Sequence, residues 1–156
     1  MVYVDSKALA AEIFSSALRS VDPYGLVKTQ TAGILGVFRK GCYKRLLVTG
    51  FGKAACTMAK AAEDGLAGCV VKGTVITKYG HCSSCRPDII TAVEAGHPVP
   101  DENGTRGTAE IMELLKDMDE KTLVVNLISG GGSALLVSPS HGITLEEKRQ
   151  ITGLLL

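Results

Sequence analysis

Tryptophan is absent from this sequence, and phenylalanine and tyrosine together make up only 4% of it. So few aromatic side chains offer no platform on which bases could stack. A dominant charge is missing too: 17 lysines and arginines stand against 16 aspartates and glutamates, a formal net charge of +1. Without a basic stripe, recognition of nucleic acid by bulk charge is excluded. No apolar run approaches membrane-spanning length, and Asp5, Lys7 and Glu12 interrupt the N-terminal apolar pattern where a signal peptide would need a continuous one. The expectation is a soluble, cytoplasmic chain with neither nucleic acid nor membrane as partner. The cysteines, Cys42, Cys56, Cys69, Cys82 and Cys85, are odd in number and irregular in spacing. That suits free thiols in a reducing compartment better than a disulfide framework.

What is present points to one packed domain. A chain of 156 residues with 46% hydrophobic content can bury one proper core. Its most informative stretch is Asn126-Leu127-Ile128-Ser129-Gly130-Gly131-Gly132-Ser133-Ala134-Leu135-Leu136. The apolar run from Leu123 to Ile128 reads as a buried strand, and it ends in consecutive glycines held between Ser129 and Ser133. Without Cβ atoms a ligand can approach the peptide N–H groups, and successive N–H groups flanked by hydroxyls form an anion nest. Phosphate or carboxylate is the expected ligand.

Taken in order, Asp5 caps a helix whose Leu9, Ile13, Phe14, Ala17, Leu18 and Val21 recur at helical spacing until Pro23, so one face should be buried. Leu26 to Lys40 reads as an irregular strand or short hairpin, because Gly33 and Gly36 interrupt it. Arg45 to Thr49 is a strand, followed by the turn Gly50-Phe51-Gly52-Lys53 and a helix from Ala54 to about Asp64. Val70 to Thr77 and Ile89 to Ala95 are further strands, Asn103 to Lys116 a helix, and Thr144-Leu145-Glu146-Glu147 a capping box opening a last helix. Apolar strands alternating with helices indicate an α/β fold, a Rossmann-like three-layer α/β/α arrangement around a mostly parallel sheet. Ligands of such sheets bind outside the carboxyl ends of the strands. The link from Thr77 to Ile89 holds no helix, which leaves an antiparallel third strand open.

Several candidates fall on that edge. Gly50-x-Gly52-x-x-Ala55 fits a loose dinucleotide fingerprint, but the second strand ends in Lys78 where a nicotinamide dinucleotide wants an acid. Lys53 stands at a helix start, where its ammonium and the helix N–H groups would meet one anion. Neither glycine cluster has the phosphate-loop spacing. In His97-Pro98-Val99-Pro100-Asp101 the prolines hold His97 and Asp101 in place, and Asp101 is either helix cap, active-site group or both. His81-Cys82-Ser83-Ser84-Cys85, with His97 as a fourth ligand, would be a metal or redox motif, yet no second cysteine pair supports zinc and Pro87 stands where a redox motif needs its helix. No metal ligand set is assigned. Gly131-Gly132-Ser133-Ala134-Leu135 lacks the second glycine of a nucleophile elbow, so serine hydrolysis is a minor alternative.

Together, Gly50-Phe51-Gly52-Lys53-Ala54-Ala55 with Met58-Ala59, Thr77-Lys78-Tyr79-Gly80-His81, Ala95-Gly96-His97-Pro98-Val99-Pro100-Asp101-Glu102 and Leu127-Ile128-Ser129-Gly130-Gly131-Gly132-Ser133-Ala134-Leu135 make the sequence resemble the glycerate 2-kinase family. The resemblance runs from the first helix to the last residue. It implies phosphorylation of D-glycerate at its 2-hydroxyl with ATP and a divalent metal, Mg2+, by a Rossmann-like domain whose cleft faces a second domain. It also implies that Lys53 is required for activity and that the loop Ser129 to Ser133 handles phosphate or substrate. Cys82 and Cys85 lie outside the pattern.

Members of that family are more than twice as long. The resemblance therefore implies that residues 1–156 are the N-terminal domain of a longer two-domain enzyme, cut within a helix, incomplete by itself and inclined to self-associate through apolar surface on its first and last helices. Two other functions stay open: an NAD(P)H-dependent hydroxypyruvate reductase, and a non-catalytic small-anion binding domain.

Overall fold

The computed structural model describes residues 5–66 and 68–156. The sheet is built from β1 (Arg45–Phe51), β2 (Val70–Lys78), β3 (Ile90–Ala95) and β4 (Thr122–Ile128) in the order β3-β2-β1-β4. Every pairing is parallel, including β2 with β3, which settles the orientation left open by the helix-free link. Phe51 pairs with Ile76 on one side and Ile128 on the other, so β1 and β4 end level while β2 runs two residues further, and all three release their loops at one edge. The chain leaves β1 for β2 and β3 on one side and returns to β4 on the other. The topological switch point, where sheets of this kind bind ligands, thus lies between β1 and β4.

Helices cover both faces. On one, α2 (Pro23–Lys40) and α3 (Ala55–Gly65) pack against Leu46, Val48 and Val75; on the other, α4 (Glu102–Lys116) and the short α5 (Gly132–Leu135) pack against Ile76 and Ala95. Small residues let α3 lie close: Ala55, Cys56, Ala59, Ala61 and Ala62 are all fully buried. The link from β2 to β3 needs no helix because Glu63 of α3, itself buried, accepts the N–H groups of Asp88, Ile89 and Ile90 at 2.9, 3.0 and 3.1 Å. One carboxylate thereby satisfies the backbone as it enters β3.

Three expectations are corrected here. Residues 26–40 are not a strand or hairpin but most of α2, with Asp22 accepting the Gly25 N–H and Pro23 in the first turn. Gly33 and Gly36 face open space within that helix, so they break nothing. The helix α1 (Ser6–Ser20) is capped by Asp5 as expected, yet none of its residues is buried. Ile13, Phe14, Leu18 and Val21 all face outward, because no described element covers that side. The cysteines are not all free thiols either. Cys56 in the first turn of α3 and Cys82 in the loop after β2 form a disulfide, with Cα atoms 5.5 Å apart. The final helix, α6 (Leu145–Leu155), begins with the predicted capping box. No helix among the described residues is long and apolar enough to cross a membrane.

The Cys56–Cys82 bond closes 26 residues of chain, a constraint worth about 3.5 kcal/mol in unfolded-state entropy. Cys82→Ser should lower the unfolding free energy by about that amount in urea titrations. Reductant should lower the parent chain equally and leave the variant unchanged; a parent chain indifferent to reductant would contradict the pairing.

Candidate active site

The loops after β1 and β4 are laced together at the switch point. Ser129 donates its N–H to the Phe51 carbonyl at 3.0 Å, Lys53 donates its N–H to the Gly130 carbonyl at 2.9 Å, and the Ser129 hydroxyl accepts the Ala54 N–H at 3.0 Å. The glycines of the first loop exist for this contact. A Cβ on Gly52, which has φ +123°, would collide with the Ser129 hydroxyl, and one on Gly50 would lie 2.5 Å from the Leu127 carbonyl oxygen. Both candidate ligand-contact glycines thus have their open sides filled by protein. The N–H groups of Gly52, Lys53 and Ala54 are likewise paired within the chain. Within the turn itself, the Lys53 ammonium is what remains for a ligand.

The second loop is different. Among the described residues, no protein acceptor meets the N–H groups of Gly130, Gly131, Gly132 or Ser133. Gly131 takes a left-handed conformation, φ +85°, and a Cβ there would sit 2.6 Å from His97 Nε2 and 3.1 Å from Lys53 Cε. Lys53, His97 and Gly131, from the loops after β1, β3 and β4, therefore converge on one point. Gly132 lies against the Phe51 ring. Ser133 stands slightly apart in α5, on a groove of about 520 Å3 shared with Ser138, Ile143, Lys148 and Ile151.

Asp101 acts as helix cap. Its carboxylate accepts the Gly104 N–H at 3.0 Å and the Tyr79 hydroxyl at 2.6 Å, and Tyr79 in turn accepts from Asn103 at 2.8 Å. Burial pushes the Asp101 carboxyl up, but the Tyr79 hydroxyl, the N–H groups of Gly96 and Gly104 and the Arg149 charge together hold it below its ordinary range. His97 is shifted down from 6.5, first by burial and then by the charges of Lys53 and Lys78, with His81 adding to them. The imidazole beside these two cations thus gives up its proton more readily than a free one. Among the described residues no set of three His, Cys, Asp or Glu side chains is placed to hold a metal, and Cys82 is tied to Cys56. His81 donates its Nδ1–H to the Lys53 carbonyl at 2.9 Å, joined there by the Thr77 hydroxyl at 3.1 Å. Sequence reasoning missed Thr77 as a functional position, because a buried threonine in a strand carries no distinguishing signal.

Comparison with known proteins shows the family. A family model described as a domain of unknown function, DUF4147, matches residues 9–156. The chain belongs to the DUF4147 family. A D-glycerate 2-kinase of Thermotoga maritima is 41% identical over 150 residues, covering 96% of this chain and 34% of that protein. A glycerate 2-kinase of Pyrococcus horikoshii is 37% identical over 161 residues, covering 100% of this chain and 36% of that protein. The crystal structure of a glycerate kinase from Thermotoga maritima superposes with a TM-score of 0.75 at 38% identity, covering 96% of this chain and 34% of that one. This DUF4147 chain therefore spans about a third of the length of the relatives it matches.

The cluster makes a pH prediction. Since folding lowers the His97 pKa, the unfolded chain takes up the proton first, and stability is lost as the pH falls through the ordinary histidine value of 6.5. NMR titration of the imidazole should give a midpoint below 6.5, and Lys53→Met should raise it. A midpoint at or above the ordinary value would contradict the arrangement.

Proposed function

We propose that this chain is the N-terminal, anion-holding domain of a two-domain, ATP-dependent glycerate 2-kinase, in which the 2-hydroxyl of D-glycerate attacks the γ-phosphorus of ATP and ADP leaves. One observation carries the reading. Among the described residues the N–H groups from Gly130 to Ser133 meet no protein acceptor, and they lie next to the point where Lys53 and His97 meet over Gly131. Phosphoryl transfer asks a protein mainly for positioning and charge neutralisation, and this cluster is suited to both. The N–H groups cradle an anion and the Lys53 ammonium offsets charge on the transferring phosphoryl group or anchors the glycerate carboxylate. His97 orients the acceptor from beside them, while Asp101 shapes the site as the cap of α4.

The names of the relatives support the same reading, as does Lys78 at the end of β2, which denies a nicotinamide dinucleotide the acid it would want there. Mg2+ is the expected companion of ATP, but the described residues do not form a ligand set for it. In this reading the rest of a kinase-length protein closes the cleft, so turnover by residues 1–156 alone is slow. The outward apolar side chains of α1 and α6, such as Phe14 and Leu154, favour self-association of the isolated chain.

The test is ADP release from ATP and Mg2+ with and without D-glycerate, beside thermal melting and a Lys53→Ala control. ATP at ten times its dissociation constant should raise the melting temperature by about 4 °C. That shift should vanish in the control, with little glycerate-dependent ADP from either protein. Absence of stabilisation would contradict the anion site, and oxidation of NADPH by hydroxypyruvate would favour a reductase.

A further inference from the structure

The His81-Cys82 pair holds no metal among the described residues, and the kinase reading gives it no task. We propose that His81 is a positioning residue for Lys53, fixing through the lysine's own carbonyl the direction in which its side chain leaves the backbone. The proposal rests on Lys53 being the cation that meets the anion.

Hydrogen bonds hold both peptide planes that flank the Lys53 Cα. The plane before the Lys53 Cα carries the Gly52 carbonyl, which accepts the Ala55 N–H at 3.0 Å, and the Lys53 N–H, which donates to the Gly130 carbonyl at 2.9 Å. The plane after it carries the Ala54 N–H, held by the Ser129 hydroxyl, and the Lys53 carbonyl. Among the described residues no backbone N–H reaches that carbonyl. Its two lone pairs are met instead by Thr77 at 3.1 Å and His81 at 2.9 Å. With both planes fixed, φ and ψ of Lys53 are fixed, and so is its Cα–Cβ direction. A lysine has many rotamers, and this restraint fixes the point and direction from which its stem reaches Gly131.

The two donors differ in kind. Thr77 is fully buried within β2, whereas His81 is exposed in the turn that follows. A carbonyl only accepts, so the imidazole must carry its proton on Nδ1. The turn is anchored at both neighbours: the His81 N–H donates to the Lys78 carbonyl at 3.1 Å, and Cys82 is bonded to Cys56, in the first turn of the helix that Lys53 leads into. The loop thus presents one donor to one carbonyl and is braced to keep it there.

The experiment is calorimetric titration of the 156-residue chain with inorganic tripolyphosphate, using His81→Ala, His81→Asn and Lys53→Ala, each checked for folding by circular dichroism. Asparagine places an uncharged N–H donor close to where Nδ1 stands. His81→Ala should bind roughly three- to tenfold more weakly, as expected for one neutral hydrogen bond. His81→Asn should return to within about twofold of the parent chain, and Lys53→Ala should lose binding. Equal binding by His81→Ala and the parent overturns the proposal. So does an asparagine variant as weak as the alanine one, because the imidazole would then act by charge or bulk. No binding by the parent chain, or undiminished binding by Lys53→Ala, overturns the anion-site reading and this proposal with it.

Discussion

The contact between the first residues after β1 and the first residues after β4 is the constraint on which the site depends. Parallel strands that end level would normally release their loops side by side, with solvent between them. Here Gly52 has no side chain, so the Ser129 hydroxyl can enter its place, take the Ala54 N–H and bring the Gly130 carbonyl onto the Lys53 N–H. One loop gives up its donors and its open sides to the other. The consequence is a division of labour: the β1 loop supplies a fixed cation, and the β4 loop keeps free N–H groups.

This arrangement inverts a common reading of glycine-rich turns. A glycine after a strand suggests that a ligand approaches the backbone, and Gly130 is open enough for that, whereas His97 and Lys53 occupy the space a Cβ on Gly131 would need. Gly50 and Gly52 are glycines for another reason, since the neighbouring strand and its loop occupy the space a Cβ would fill. Sequence alone does not separate the two cases. What separates them is where the opposing loop lies, and that depends on strand order.

Much of the fold was legible because most strands are apolar runs ended by glycine or polar residues, and every long helix except α3, which has no capping side chain, announces its start. Asp5, Asp101 and Thr144 all cap the helices predicted from them. The helix α2 carries the same signals in Asp22 and Pro23, but Gly33 and Gly36 within it read as breaks. Those glycines cost helix propensity of about 1 kcal/mol each, which packing of Val27, Ile34 and Phe38 against α3 and the sheet offsets. The Cys56–Cys82 bond was not legible, because two cysteines 26 residues apart in an odd set of five carry no pairing pattern. The candidate site was legible as loops that share one sheet edge and not as roles. Lys53, His97 and Gly131 do meet, whereas the function of His81 depends on a carbonyl whose position no sequence motif records.

The central claim is that the anion sits on the β4 loop, with Lys53 and His97 beside it, and not on the turn after β1. Amide chemical-shift mapping of the isotopically labelled chain during titration with ATP tests this most directly. The account predicts the largest shifts at Gly130, Gly131, Gly132 and Ser133, smaller ones at Lys53 and His97, and little change at Gly50. Shifts centred on the start of α3, with the residues from Gly130 to Ser133 silent, would contradict it.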